Sequence, residues 1–414
     1  MDLTRKYLIA AGLLVISLFI TIVIAEILLR FTPYKNIRPL DLSAIRYYFI
    51  ADSLSGYDFA DSHPKISIKL IDHTTTDMEI WTNELGCFDK PYKGEKKPVL
   101  FVGDSFTWGY TSFERTWGNV MEGLIGSRIL KCGVNGYGTK AEGNKIKKVM
   151  AKANVYPELI ILGYFAGNDL QDDYLFPHLT FIDGYLAVKK NLDYKTGKIT
   201  DVPENEIRTR IDEYHSKKQR IKDWLDEHSS IYDLLKNITV VRKIAIKFGL
   251  AKADIAPLPI FTISPERLPW LKNAWQEHLD NLKKIKSISD SYGSKLLVVI
   301  IPTKEQVYSF LRPSHYGNVD WEYTNKRLAD FFSYKKIEYL DLLLLFREYT
   351  DQTPRKFIDG NKDLYLRYDP HLNAKGSYLA SLLVGKHIIE KGMIDVNDRE
   401  ERLSEINRKL KAFK

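Results

Sequence analysis

Residues 98–110 read PVLFVGDSFTWGY: an apolar run, Val99 to Val102, that stops at Gly103-Asp104-Ser105. A strand apolar at every position, rather than at alternate ones, has both faces buried, as in a parallel sheet with helices on either side. The glycine and small polar residues then deliver Ser105 to the carboxyl end of the strand, the edge where open α/β sheets hold their reactive groups. The same pattern returns along the chain in SRILKCGV (127–134), ELIILGYF (158–165), KLLVVIIP (295–302) and the shorter IEYLDL (337–342). Between these runs, Trp117 to Ile125, Ala141 to Ala153, Trp270 to Ser291 and Trp321 to Phe332 carry apolar residues at helical spacing. Strands alternating with helices predict an α/β domain whose parallel sheet is covered on both faces.

Between about 172 and 267 the alternation is interrupted. FIDGYLAVKKNLDYKTGKITDV (181–202) reads as a hairpin, and charged helical sequence and the proline-containing APLPIFTISPERLPW (256–270) follow it. This is an expected insertion at the sheet edge, where added loops shape pockets. Its Tyr174, Phe176, Phe181 and Tyr185 suit packing, with sugar stacking as the alternative. At the front, YLIAAGLLVISLFITIVIA (7–25) has no charge and is long enough to cross a hydrocarbon core of about 30 Å as a helix. An uncleaved anchor is favoured over a signal peptide, because the apolar stretch is too long for one and continues through Leu29. Arg5 and Lys6 on one side balance Arg30, Lys35 and Arg38 on the other, so the charges leave the orientation open. The expected organisation is an anchor at 1–30, a membrane-proximal segment at 31–95, the α/β domain at 96–390 and a mixed-charge helical tail at 391–414.

With 414 residues, 44% of them hydrophobic, the chain has ample material for a large core. Its net charge of +8 is spread out rather than gathered, which argues against nucleic acid as a partner. Cys87 and Cys132 lack the paired spacing of a zinc site and are either free or joined.

Four candidate segments fall after successive strands. Ser105 is a candidate nucleophile, although Gly-Asp-Ser alone is ordinary turn chemistry. Gly136, in GVNGYGT (133–139), can bring a backbone N–H close to a substrate oxygen, and Asn168, in Gly167-Asn168-Asp169, offers a side-chain amide. His371 is a candidate general base and Asp369 its orienting acid, just ahead of a helical pattern. The remaining histidines, including His178, His215 and His387, read as surface or packing residues. A competing motif, Gly136 to Ala141 as G-x-G-x-x-A with Asp169 as a ribose acid, would make a dinucleotide site but leaves the serine unexplained.

Taken in chain order, Gly103-Asp104-Ser105, Gly136, Gly167-Asn168-Asp169 and Asp369 with His371 resemble the four blocks of the SGNH, or GDSL, hydrolases. The resemblance covers roughly residues 97 to 390. Asn83-Glu84-Leu85-Gly86 and Ile301-Pro302-Thr303-Lys304-Glu305-Gln306-Val307-Tyr308 are further similar to a membrane-anchored branch. It implies a flavodoxin-like three-layer α/β/α sandwich with strand order 2-1-3-4-5 and hydrolysis of carboxylic esters without metal or organic cofactor. Ser105, Gly136 and Asn168 would form the oxyanion hole.

Two departures stand out. Ala166 replaces the first glycine of the usual G-x-N-D, and Asp369-Pro370-His371 is one residue shorter than D-x-x-H. The shorter form is similar to the D-x-H-x-N of proteins in polysaccharide O-acetylation. It leaves two options for the third member of the triad, Asp369 or another acid or carbonyl. The expected function is an esterase acting on O-acyl esters, with acetyl esters of carbohydrate foremost. The alternatives are a polysaccharide O-acyltransferase and a catalytically silent, membrane-anchored assembly protein. By the same resemblance, the domain is expected outside the cytoplasmic membrane.

Overall fold

The computed structural model describes residues 3–31, 48–72, 75–214, 216–237, 264–312, 319–355, 358–360, 362–367 and 369–413. Lys35, Arg38, His215 and the first part of the proline-containing stretch lie outside them. In chain order the elements are α1 (Leu3–Leu29), β1 (Phe49–Asp52), β2 (Gly56–Phe59), β3 (Ile66–Ile71), β4 (Thr75–Ile80), β5 (Val99–Gly103), α2 (Ser105–Trp108), α3 (Trp117–Ile125), β6 (Ile129–Lys131), α4 (Thr139–Ala153), β7 (Leu159–Phe165) and α5 (Asp169–Tyr174). Then come β8 (Leu179–Ile182), β9 (Tyr185–Val188), β10 (Lys190–Leu192), β11 (Ile199–Asp201), α6 (Glu204–Tyr214), α7 (Lys217–His228) and α8 (Ser230–Asn237). The chain continues with α9 (Leu271–Ser291), β12 (Lys295–Ile301), α10 (Lys304–Val307), α11 (Tyr323–Lys335), β13 (Glu338–Asp341), α12 (Leu342–Glu348), α13 (Ala374–Glu390) and α14 (Arg399–Phe413).

The chain divides into two compact units, one drawn from residues 1–39, 71–74 and 209–256 and the other from the remainder. In the smaller unit, Ile9–Leu29 of α1 has a mean hydropathy of 2.7 and is long enough to cross a membrane. Glu26 near its end accepts hydrogen bonds from the Ser230 and Ile231 N–H groups, which ties α1 to the start of α8.

In the larger unit, five parallel strands run in the order β13-β12-β7-β5-β6. Numbered along the sheet, this is the 2-1-3-4-5 order of a doubly wound flavodoxin-like fold. The continuous apolar runs split by parity. Val99, Phe101, Leu159, Ile161, Leu297 and Val299 enter one core with α3, α12, α13 and α14. Leu100, Val102, Ile160, Leu162, Leu296 and Val298 enter the other with α4, α9 and α11. Successive side chains of a strand point to opposite faces, so a run apolar throughout is what a three-layer sandwich requires.

The antiparallel pairs β1–β2 and β3–β4 form a third cluster, in which Tyr57, Phe59 and Ile80 pack with Trp108, Tyr110 and Tyr137. These hairpins were not foreseen within 31–95, and they build a wall beside the loop after Ser105. The expected hairpin at 181–202 is present as β8–β9, with a second pair, β10–β11, behind it. Cys87 and Cys132 are joined, which pins the loop before β5 to the end of β6.

Candidate active site

Strand β5 lies between β6 and β7, so the order reverses there and the loops beyond these strands part around a crevice. Gly103 pairs with Gly163, and the Val134 N–H donates to Gly103 O at 2.9 Å, so the three loops leave the sheet at one level. A Cβ on Gly103 or Gly163 would overlap the Thr107 hydroxyl, and the two glycines let α2 sit directly on the strand ends. Asp104 caps α2, accepting from the Phe106 N–H at 2.8 Å, and so fixes Ser105 as its first residue.

Ser105 and His371 are 266 residues apart in sequence, yet His371 Nε2 lies 2.7 Å from Ser105 Oγ. On the other side of the ring, Nδ1 lies 2.5 Å from Asp369 Oδ1. The same oxygen accepts the His371 backbone N–H at 2.9 Å. This is an Asx turn, in which a carboxylate binds the backbone two residues on. The single intervening residue therefore folds the acid under its own histidine. Of the two options left by the short motif, the geometry has Asp369 on the ring.

Burial pushes the Asp369 carboxyl up. The His371 hydrogen bonds and the nearby Lys304 charge outweigh burial and hold it below the usual carboxylate range. The imidazole is clamped between Phe106, with ring centres 4.6 Å apart, and Tyr110, stacked at 3.7 Å. Neither aromatic had been singled out from the sequence, since an aromatic after a strand reads as packing.

Gly136 sits in the loop after β6 with φ +74°, where a side chain is strained. A Cβ there would come within 2.8 Å of the Tyr57 hydroxyl, which itself donates to Asn135 O at 2.7 Å. Asn135 Nδ2 donates to the Tyr110 hydroxyl at 3.1 Å, linking this loop to the ring that covers His371. Asn168 stands at the N-cap position of α5, after β7, without a capping hydrogen bond from its side chain. Its amide donates to Asp172 Oδ2 at 2.9 Å, which leaves one of its two protons for another acceptor.

Behind this side of the site, Asp104, Glu142, Asp169, Asp172 and Asp173 are all buried. Burial, and then their mutual repulsion, pushes Glu142, Asp169 and Asp172 well above the carboxylate range. Burial also pushes Asp104 up to about 6. Asp173 is held from several sides, by Lys140 N at 2.8 Å, by His278 Nδ1 at 2.7 Å and by the Thr139 hydroxyl. His178 takes the packing role of the two expected for it: its Nε2 lies 3.6 Å from Asp172 and faces the Gly136 loop, and burial lowers it to about 4.

The dinucleotide alternative fails on this packing. A Cβ on Gly138 would come within 2.9 Å of Asp173 N, so α5 fills the turn and leaves no room there for a pyrophosphate. Asp169 is buried and accepts from Phe165 N at 3.0 Å rather than facing a ribose. Among the described residues, no group of three or more His, Cys, Asp or Glu side chains is placed to hold a metal ion.

No family model matches the sequence, and no curated protein matches it. Solved structures do. An acetylxylan esterase from Geobacillus stearothermophilus aligns at 9% identity over 70% of this chain and 93% of its own, with a TM-score of 0.34. A carbohydrate acetylesterase family member from Sinorhizobium meliloti aligns at 12% identity over 72% of this chain and 98% of its own, with a TM-score of 0.33. A GDSL-like lipase from Bacteroides thetaiotaomicron aligns at 10% identity over 71% of this chain and 89% of its own, with a TM-score of 0.32.

Proposed function

We propose that the chain is a membrane-anchored serine esterase of the SGNH type, acting on O-acyl esters with a carbohydrate as the favoured alcohol. The observation that carries this reading is the unbroken series Ser105 Oγ, His371 Nε2, His371 Nδ1, Asp369 Oδ1, with links of 2.7 and 2.5 Å. His371 takes the Ser105 proton as Oγ bonds to the ester carbonyl carbon, and Asp369 stabilises the imidazolium. The oxyanion is held by the Ser105 and Gly136 N–H groups and the free Asn168 amide proton. As the carbon–oxygen bond to the alcohol breaks, His371 returns the proton to the leaving alcohol. Water, activated by the same histidine, then releases the acid. A sugar hydroxyl in place of that water would make the protein an O-acyltransferase with identical residue roles.

A membrane position is supported by the apolar α1, and an extracytoplasmic domain by the Cys87–Cys132 disulfide, which belongs to an oxidising compartment. The test uses full-length protein in detergent. Wild type is expected to release p-nitrophenol from p-nitrophenyl acetate, and Ser105→Ala and His371→Ala to reduce turnover to background. Equal turnover by all three proteins would overturn the reading.

A further inference from the structure

IPTKEQVY (301–308), the segment after β12, has no part in the steps above, yet it reaches the base. Its short helix α10 is rigidly set by a capping box. Thr303 Oγ1 accepts from Gln306 N at 3.2 Å, and Gln306 Oε1 accepts from Thr303 N at 2.8 Å. Gln306 Nε2 then donates to Trp321 O at 2.6 Å and to Asn325 Oδ1 at 2.7 Å, while Arg347 Nη2 donates to Gln306 O at 2.7 Å. The side chain this frame aims is Lys304, which is buried.

Its ammonium donates to three carbonyls of one loop, Leu366 O at 3.1 Å, Arg367 O at 3.2 Å and Asp369 O at 2.9 Å. Burying a lysine is costly, and the position is justified only by what the charge holds. Here that is the backbone leading into His371, including the carbonyl of Asp369 itself. From the other side, Asn373 Nδ2 donates to Gly360 O, Asp363 O and Tyr365 O at 2.8 to 3.1 Å. The base loop is therefore gripped twice, by an amide after His371 and by a cation from the helix that follows β12.

We infer that Lys304 is a positioning residue for the proposed esterase: by binding three carbonyls ahead of His371, it sets the imidazole at transfer distance from Ser105. This rests on the serine-enzyme reading. A displacement of about 1 Å in a catalytic group costs on the order of 100-fold in rate. In the full-length protein, Lys304→Met is therefore expected to lower kcat on p-nitrophenyl acetate about 100-fold with KM within about threefold, and to slow fluorophosphonate labelling of Ser105 in proportion.

Rescue separates the ammonium from mere space filling. Both native cysteines are in the disulfide, so Lys304→Cys supplies a unique thiol, and 2-bromoethylamine converts it to an aminoethyl side chain of lysine length. Aminoethylation, verified by mass spectrometry, is expected to restore kcat at least tenfold. Thermal melting checks folding, and if the methionine variant does not fold, the cysteine protein before and after alkylation decides. Folded Lys304→Met with kcat within threefold of wild type, or alkylation without recovery, overturns the inference alone. Wild type that neither turns over nor labels at Ser105 overturns the serine-enzyme reading and this inference with it.

Discussion

The loop bearing Asp369 and His371 and the segment from β7 into α5 both reach the crevice at Ser105, and they treat their carboxyl groups in opposite ways. Asp369 is partly open, with its side chain 27% exposed, and hydrogen bonds hold it ionised. Across the crevice Asp169 and Asp172 of that segment, with Glu142 of α4, are shut away from water, and burial followed by mutual repulsion pushes all three well above the usual carboxylate range. The contrast matches the charges that the proposed ester cleavage would create. An anion beside His371 stabilises the imidazolium. An anion beside Gly136 and Asn168 would oppose the proposed oxyanion, and a carboxyl pushed upward by burial opposes it less. Similar residues thus serve two electrostatic ends according to burial and partners.

The contrast can be broken most severely at the charged side. Asp369→Asn is expected to lower kcat/KM by about 10³ to 10⁴ at every pH from 5 to 9, because the lost carboxylate is ionised across that whole range. A variant equal to wild type at pH 9, with only its limb displaced, would contradict this. The stability of the charged side also has a definite sign. A carboxyl lowered on folding stabilises above its unfolded value near 4, and that contribution is lost as pH falls through the lower folded value. Denaturant titrations at pH 5 and pH 3 should therefore show a larger loss for wild type than for Asp369→Asn.

On the neutral side, Asn168→Ala is expected to cost about 10² in kcat with little change in KM, the usual loss of one oxyanion donor. An unchanged kcat would remove Asn168 from the hole and leave its Asp172 bond as a purely structural contact. The smallest effect belongs to Glu142→Gln, which replaces a buried carboxyl, pushed well above the usual range, by a neutral amide of the same shape. Activity should stay within twofold. A carboxyl raised on folding binds its proton more tightly in the native state, so its contribution falls as pH rises above the unfolded value. Glu142→Gln should flatten that decline between pH 5 and 8, and an unchanged slope would show that Glu142 is not the proton holder.

How much of this was legible in the sequence follows from the range of each contact. The central strands announce themselves because burial on both faces leaves no polar position in Val99–Val102 or Leu159–Leu162. Ser105, Gly136, Asn168 and Asp369 with His371 stand at strand ends or helix starts, which local pattern can mark. Lys304 could not be read this way, since the carbonyls it binds lie more than sixty residues on. Tyr110 over His371 and Cys87 with Cys132 are likewise products of tertiary packing. The short spacing of Asp369 and His371 left two options for the orienting group, and only the Asx turn puts Asp369 on the ring.

The central claim is that Ser105 is a nucleophile activated by His371. Incubation of the full-length protein with a fluorophosphonate, followed by peptide mass spectrometry, tests it most directly. The account predicts a single adduct on Ser105, formed by wild type and absent from His371→Ala on the same timescale. No adduct on wild type, or one on another residue with Ser105 untouched, would contradict it.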